Sequence, residues 1–163
     1  MQDDLTRRRS ASPRLQRGDT IVQQIRIHGR GGQGSVTLGH LIAEAAFHEG
    51  KWSQAFPQFG VERRGAPVEA FARIDEEKIT DRSHVYEPDY VIVQDPSLIE
   101  FVDVCEGLKS DGILIVNSAD DPAQMDFDTD AEVVTVDATE IALEHLDRGH
   151  LAAREDPSYR RAD

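Results

Sequence analysis

Gly29, Gly31 and Gly34 stand at G-x-G-x-x-G spacing within Ile25-Arg-Ile-His-Gly-Arg-Gly-Gly-Gln-Gly-Ser35, directly after an apolar run and directly before a helical pattern. This punctuation commits the chain to a strand, a tight turn and a helix, the opening unit of an α/β fold. Glycines let the backbone approach a ligand with no Cβ in the way, and the first amides of the following helix point at the same spot with partial positive charge. An anion fits there. A turn that only packs a helix tightly on its sheet needs similar residues, so both readings stand at this point.

The rest of a dinucleotide fingerprint is absent. Such a site wants Asp or Glu about 20 residues beyond the glycines, at the end of the second strand, to hold ribose hydroxyls. Here the second strand, Trp52-Ser-Gln-Ala-Phe-Pro57, ends in Gln, Phe and Pro. The chain instead offers Arg63-Arg64 between Gly60 and Gly65. Paired guanidinium groups suit a ligand rich in phosphate, or equally a surface salt-bridge network.

Periodicity then sets the remaining elements. A strand at about 21–28 leads into a helix from Ser35 to Glu49, with Leu38, Leu41, Ile42 and Ala45 as its apolar stripe and Gly50 as its stop. Gly39, in mid-helix, marks close packing on the sheet. A strand at about 66–74 alternates Val68, Ala70 and Ala72 with Glu69, Phe71 and Arg73, the pattern of a partly covered, edge-like strand. The continuous apolar runs Tyr90-Val-Ile-Val-Gln94 and Gly112-Ile-Leu-Ile-Val-Asn117 suit strands buried on both faces. Between them Leu98, Phe101, Val102 and Cys105 recur at helical spacing, which predicts a helix carrying a core cysteine. A strand at Glu132–Val136 and a helix from Ala138 to about Arg148 complete the alternation. The fold class is α/β, a single domain with a doubly wound, Rossmann-like, mostly parallel sheet over 20–148. Polar tails are expected at 1–19 and 149–163, the first mobile and rich in arginine.

Composition removes several classes of function. The chain has 163 residues, 18 Lys+Arg against 31 Asp+Glu and net charge −13, a poor surface for nucleic acid. Only Lys51, Lys78 and Lys109 are lysines, a balance that a high-salt cytoplasm favours. Cys105 is the single cysteine, so no disulfide, zinc or iron–sulfur site can be assembled from the chain's own thiols. No apolar run reaches membrane-spanning length and Arg7-Arg-Arg9 precedes no apolar segment, so the chain reads as cytoplasmic. Asp126-Phe-Asp-Thr-Asp130 imitates the start of a calcium loop, but Ala131 and Asp137 stand where Gly and Glu are needed. His40 and His48 are too far apart for one metal. No metal site and no catalytic residue is expected; the residues speak of binding.

Taken together, Gly29-Arg-Gly-Gly-Gln-Gly34, Gln54-Ala-Phe-Pro-Gln-Phe-Gly60, Glu62-Arg-Arg-Gly-Ala-Pro67 and Asp89-Tyr-Val-Ile-Val-Gln-Asp-Pro96 are joint motifs. From about Ile25 to about Leu143 the chain resembles the gamma subunit, or gamma domain, of 2-oxoacid:ferredoxin oxidoreductases, most closely the pyruvate enzyme (pyruvate synthase). The first 20 residues and those after about Leu146 depart from that pattern. The resemblance implies CoA-dependent oxidative decarboxylation by a complex. Thiamine diphosphate, Mg and [4Fe-4S] clusters would lie in alpha, beta and ferredoxin-like delta partners, with ferredoxin as acceptor. It implies that this chain is a non-redox subunit contributing to coenzyme A binding and assembly. By position Gly29, Gly31, Gly32, Gly34 and Ser35 would meet phosphate, with Arg63 and Arg64 as charge partners. Related alternatives are the indolepyruvate, 2-oxoisovalerate and 2-oxoglutarate enzymes, and, from another class, a free-standing nucleotide-binding module.

Overall fold

The computed structural model describes residues 22–58 and 65–145. One six-stranded sheet organises them. The strands are β1 (Gln23–Arg30), β2 (Trp52–Gln58), β3 (Pro67–Asp75), β4 (Tyr90–Val93), β5 (Ile113–Asn117) and β6 (Glu132–Val136), in the order β2-β3-β1-β4-β5-β6. β1, β4, β5 and β6 pair in parallel, whereas β3 is antiparallel to both β1 and β2. Only β3 therefore runs against the rest, and the sheet is mostly parallel as expected.

Helix α1 (Ser35–His48) covers one face over β1, β2 and β3. Its buried residues are Ser35, Gly39, Ala43 and Ala46, whereas Leu41 is 57% exposed and Ala45 is exposed. This corrects the expected Leu38–Leu41–Ile42–Ala45 stripe. The physical reason is proximity: a Cβ on Gly39 would lie 3.6 Å from both the Ile27 Cδ1 and the Phe71 carbonyl oxygen, so small residues face the sheet and large ones flank the contact. Beneath α1, Ile25, Ile27, Ala70 and Ala72 form one core cluster.

Among the described residues, the other face over β3, β1, β4 and β5 is covered by irregular chain. Over β4 and β5, Val91, Val93, Leu114 and Val116 pack against Val104, which belongs to an irregular strap beginning with a 3-10 turn at Pro96–Glu100. The expected helix over this stretch is corrected: the Asp95 carboxylate caps Ser97 N–H, the Asp103 carboxylate accepts from Cys105 N–H, and Phe101 is 73% exposed. Short acidic and hydroxyl side chains bond the local backbone in competition with helical bonds. Cys105 is half-buried against the core cluster, where burial pushes its thiol pKa up.

β3 is also no edge-like strand. It lies inside the sheet, and Phe71 and Arg73 are each 1% exposed. Irregular chain at 76–88 lies over this part of the sheet, and its polar groups are met by arginine. The Arg73 guanidinium donates to the carbonyls of Asp81 (3.3 Å) and His84 (3.2 Å) and to the Ser83 hydroxyl. Arg26 does the same for the second strap, donating to the carbonyls of Val104 and Glu106 at 3.0 and 2.6 Å. Two buried cations thus satisfy loop carbonyls that a helix would have satisfied internally.

After β6 comes α2 (Ala138–His145). The expected tails at 1–19 and 149–163, and the last residues of the helix expected to reach Arg148, lie outside the described residues, as do Arg63 and Arg64.

Candidate functional site

β1 and β4 are parallel neighbours whose connections leave in opposite directions across the sheet, so a crevice forms at their carboxyl ends, where α/β folds place ligands. The glycine turn sits at its mouth. Gly32 (φ 93°) and Gly34 (φ 85°) are left-handed, a conformation that glycine adopts without strain. Gly34 is the N-cap of α1, with no side-chain cap and no acidic residue in the first turn.

The first helical bond is Leu38 N–H to the Gly34 carbonyl, at 2.8 Å. The amides of Ser35, Val36 and Thr37 therefore have no acceptor within the helix, and nothing negative in the first turn competes for them. These are the donors an anion would take.

Gly29 plays a different part from the one its place in the motif suggests. It is buried, and a Cβ there would run into the Ser35 hydroxyl and lie 2.8 Å from Gln94 Oε1. The Ser35 hydroxyl is itself committed, donating to Gln94 Oε1 at 2.6 Å. Gly29 thus fits helix to sheet, and Ser35 offers the site its N–H alone. Gly31 is committed through both of its backbone polar groups: its N–H donates to the Ala66 carbonyl at 2.9 Å, while Gly65 N–H donates back to the Gly31 carbonyl at 3.3 Å.

That clamp bears on the two arginines. Arg63 and Arg64 lie outside the described residues, yet Arg64 is bonded in sequence to Gly65, which is fixed on the glycine turn.

Side chains with no expected role line the same mouth. Arg30 donates to Asp95 Oδ2 (3.0 Å), the Gly65 carbonyl (3.1 Å) and the Ser97 hydroxyl (2.8 Å). Gln33 donates to the same Asp95 oxygen at 2.9 Å. Burial pushes the Asp95 carboxyl up, but hydrogen bonds from Ser97 and Gln33 and the charge of Arg30 outweigh it and hold the pKa below its ordinary value. Asn117, at the end of β5, donates to the Gln94 carbonyl at 3.0 Å and accepts from Ala138 N–H. Arg30, Gln33, Gln94 and Asp95 stand inside the motifs that carry the family resemblance, though no role was read for them, and Asp95-Pro-Ser97 at a strand end is an N-cap pattern. The net effect is a hydrogen-bonded rim whose carboxylate is paired with its own arginine, which offsets its repulsion of an anion at α1.

Among the described residues no three His, Cys, Asp or Glu side chains are grouped to hold a metal ion. No described helix is long and apolar enough to cross a membrane.

The chain is similar to known proteins over this whole region. A family described as pyruvate ferredoxin/flavodoxin oxidoreductase matches residues 24–154, reaching further toward the C-terminus than the motifs alone indicate. A pyruvate synthase subunit PorC from Methanosarcina barkeri is 59% identical over 123 residues, covering 76% of this chain and 68% of that one. The crystal structure of pyruvate oxidoreductase subunit PORC from Thermotoga maritima is 41% identical, with TM-score 0.66 over 77% of this chain and 67% of that one. The same fold recurs at 19% identity and TM-score 0.59 in the 2-oxoglutarate:ferredoxin oxidoreductase from Magnetococcus marinus, solved with 2-oxoglutarate, coenzyme A and succinyl-CoA; the match covers 76% of this chain and 21% of that one. By these matches the chain belongs to the pyruvate ferredoxin/flavodoxin oxidoreductase family, among its gamma-type subunits.

Proposed function

We propose that this chain is the coenzyme A-binding gamma subunit of a pyruvate-type 2-oxoacid:ferredoxin oxidoreductase. The observation that carries this reading is the uncapped start of α1, where three amides and two left-handed glycines face the β1–β4 crevice with no acidic residue among them. A pyrophosphate fits that geometry, and the 3′-phosphate of coenzyme A gives Arg63 and Arg64 a partner that NAD would not.

The donor chemistry divides the labour. A [4Fe-4S] cluster needs four thiolates, and this chain has one cysteine. The redox clusters, thiamine diphosphate and Mg accordingly belong to alpha, beta and delta partners, with ferredoxin as acceptor. This chain contributes binding, orientation and docking, in the cytoplasm.

The test uses the assembled enzyme. Arg63→Ala with Arg64→Ala raises KM for coenzyme A by about tenfold and leaves KM for dephospho-coenzyme A nearly unchanged. Equal shifts for both thiols remove the arginines from the phosphate site. Purification without larger thiamine- and iron-bearing subunits argues instead for a free-standing module.

A further inference from the structure

Beyond β1 the sheet is closed on one face and half open on the other. Val91 and Val93 of β4 and Leu114 and Val116 of β5 are wholly buried, beneath irregular chain that carries Val104, Met125 and Phe127. Their neighbours along the same strands, Tyr90, Ile92, Ile113 and Ile115, are only half-buried, although β4 and β5 lie inside the sheet. Register carries this second row into β6, with Val134 opposite Ile115 and the exposed Val136 opposite Asn117.

Crossover handedness explains the difference. Right-handed connections that step away from β1 through β4, β5 and β6 all pass over one face, and those are the straps. α1 steps the other way and covers the opposite face only over β1, β2 and β3. With Gly39 and Ala43 on the sheet, the right-handed turn of α1 puts Leu38, Ile42 and Ala45 on its β4 side, where Leu38 and Ile42 pack against the same cluster as Tyr90 and Ile92. The result is a trough, with an apolar floor of β4, β5 and β6 and the flank of α1 as one wall.

The chain itself leads into it. Asn117, in the same row as Ile113 and Ile115, accepts from Ala138 N–H and donates to the Thr139 hydroxyl, so α2 starts on this face. Yet α2 buries none of its residues, and Ile141 is 51% exposed. The family match continues past α2 to residue 154. That stretch holds Leu146 and the run Leu151-Ala-Ala153, which Arg148 and Arg154 flank with no acidic residue between them. The trough has an acidic border: Glu132 stands exposed in register with Ile113, and Glu140 and Glu144 are exposed on α2. Lys109 is the only lysine or arginine between Arg82 and Arg148.

We propose that residues 146–154, which lie outside the described residues, seat in this trough, with Leu146 and Leu151 on Ile113, Ile115 and Val134 and with Arg148 and Arg154 at the acidic border. An apolar run between two arginines complements an apolar floor rimmed by carboxylates. A second copy of the chain is a poorer occupant, because it brings the same carboxylates against their like. The proposal is independent of the coenzyme A reading.

Methyl NMR on the full chain, labelled at Ile, Leu and Val, tests it. NOEs are expected from Leu146 and Leu151 to Ile113, Ile115 and Val134, with none to Leu114 or Val116. Ending the chain after His145 should shift the Ile113 and Ile115 methyls, leave those of Leu114 and Val116 in place and raise binding of the dye ANS. Leu151→Ala should lower the seated-to-free ratio of the segment about tenfold, read from the same methyls. Absence of these NOEs in the full chain overturns the proposal, whether or not the shortened chain folds. So does a trough that closes only on dimerisation, seen as concentration-dependent methyl shifts, or only when larger subunits bind.

Discussion

Ser35 and Gln94 meet across the mouth of the β1–β4 crevice, the serine hydroxyl donating to the glutamine Oε1 at 2.6 Å. The pair ties the first turn of α1 to the end of β4, and it occupies the space a side chain on Gly29 would need.

Gly29→Ala should therefore destabilise the fold by about 2 kcal/mol, since the new methyl must displace either the serine hydroxyl or the helix. Adding Ser35→Ala should recover part of that loss, although alone it removes a hydrogen bond worth about 1 kcal/mol. Urea unfolding of the three variants checks this; strictly additive losses would mean that the two residues do not share the space.

Gly34→Ala acts through another term. A Cβ there meets nothing within 4 Å, so its cost of about 1–2 kcal/mol is left-handed backbone strain alone. No second-site change near the turn should relieve it, and the same unfolding measurement separates the two glycines.

Arg73→Met tests how the helix-free face is held. The substitution keeps much of the apolar stem but strips donors from the Asp81 and His84 carbonyls. A loss of about 3 kcal/mol is expected, with faster amide exchange over the straps at 76–88. Unchanged exchange there would show that the guanidinium does not anchor the strap.

The buried imidazole of His28 predicts a pH window. The unfolded side chain titrates near 6.5, the folded one near 4. As pH falls from 6.5 to 4, the unfolded chain takes up a proton that the folded chain refuses, so stability falls by roughly 3 kcal/mol across that window from this group and levels off below it. The measurement is the difference in unfolding free energy between the parent and His28→Phe: their gap should widen in the variant's favour through that range.

The acidic surface predicts a response to salt. With net charge −13, self-repulsion is screened as ionic strength rises. A Tm that climbs with potassium chloride over the molar range supports adaptation to high salt, and a flat Tm removes it.

Strands were legible where apolar residues run on: β4 and β5 at the centre of the parallel half read directly, β6 was found from its β-branched residues although it lies at the sheet edge, and glycine punctuation placed α1. What misled was periodicity without context. Leu98, Phe101, Val102 and Cys105 repeat as a helix would, yet Asp95 and Asp103 each seize a nearby backbone N–H, and Gly107 turns left-handed at φ 70°. In β3, Arg73 reads as solvent-facing because nothing local announces that chain 76–88 folds over it. α1 hid its contact face in its smallest residues. At the site, the glycines were visible but their division between packing and ligand was not. That division depends on Gln94, 59 residues from Ser35.

The reversed direction of β3 has a consequence for how the neighbouring segment can be probed. Because β2 and β3 form a hairpin, the segment joining Gln58 to Gly65 springs from the ligand end of the sheet and returns to it, sealed at its base by the Gly31–Ala66 and Gly31–Gly65 bonds. Both ends of the segment are therefore fixed beside the glycine turn by the β2–β3 ladder and the two Gly31 bonds, so substitutions between them can be tested for their effect on the proposed coenzyme A site with that ladder as an independent structural readout.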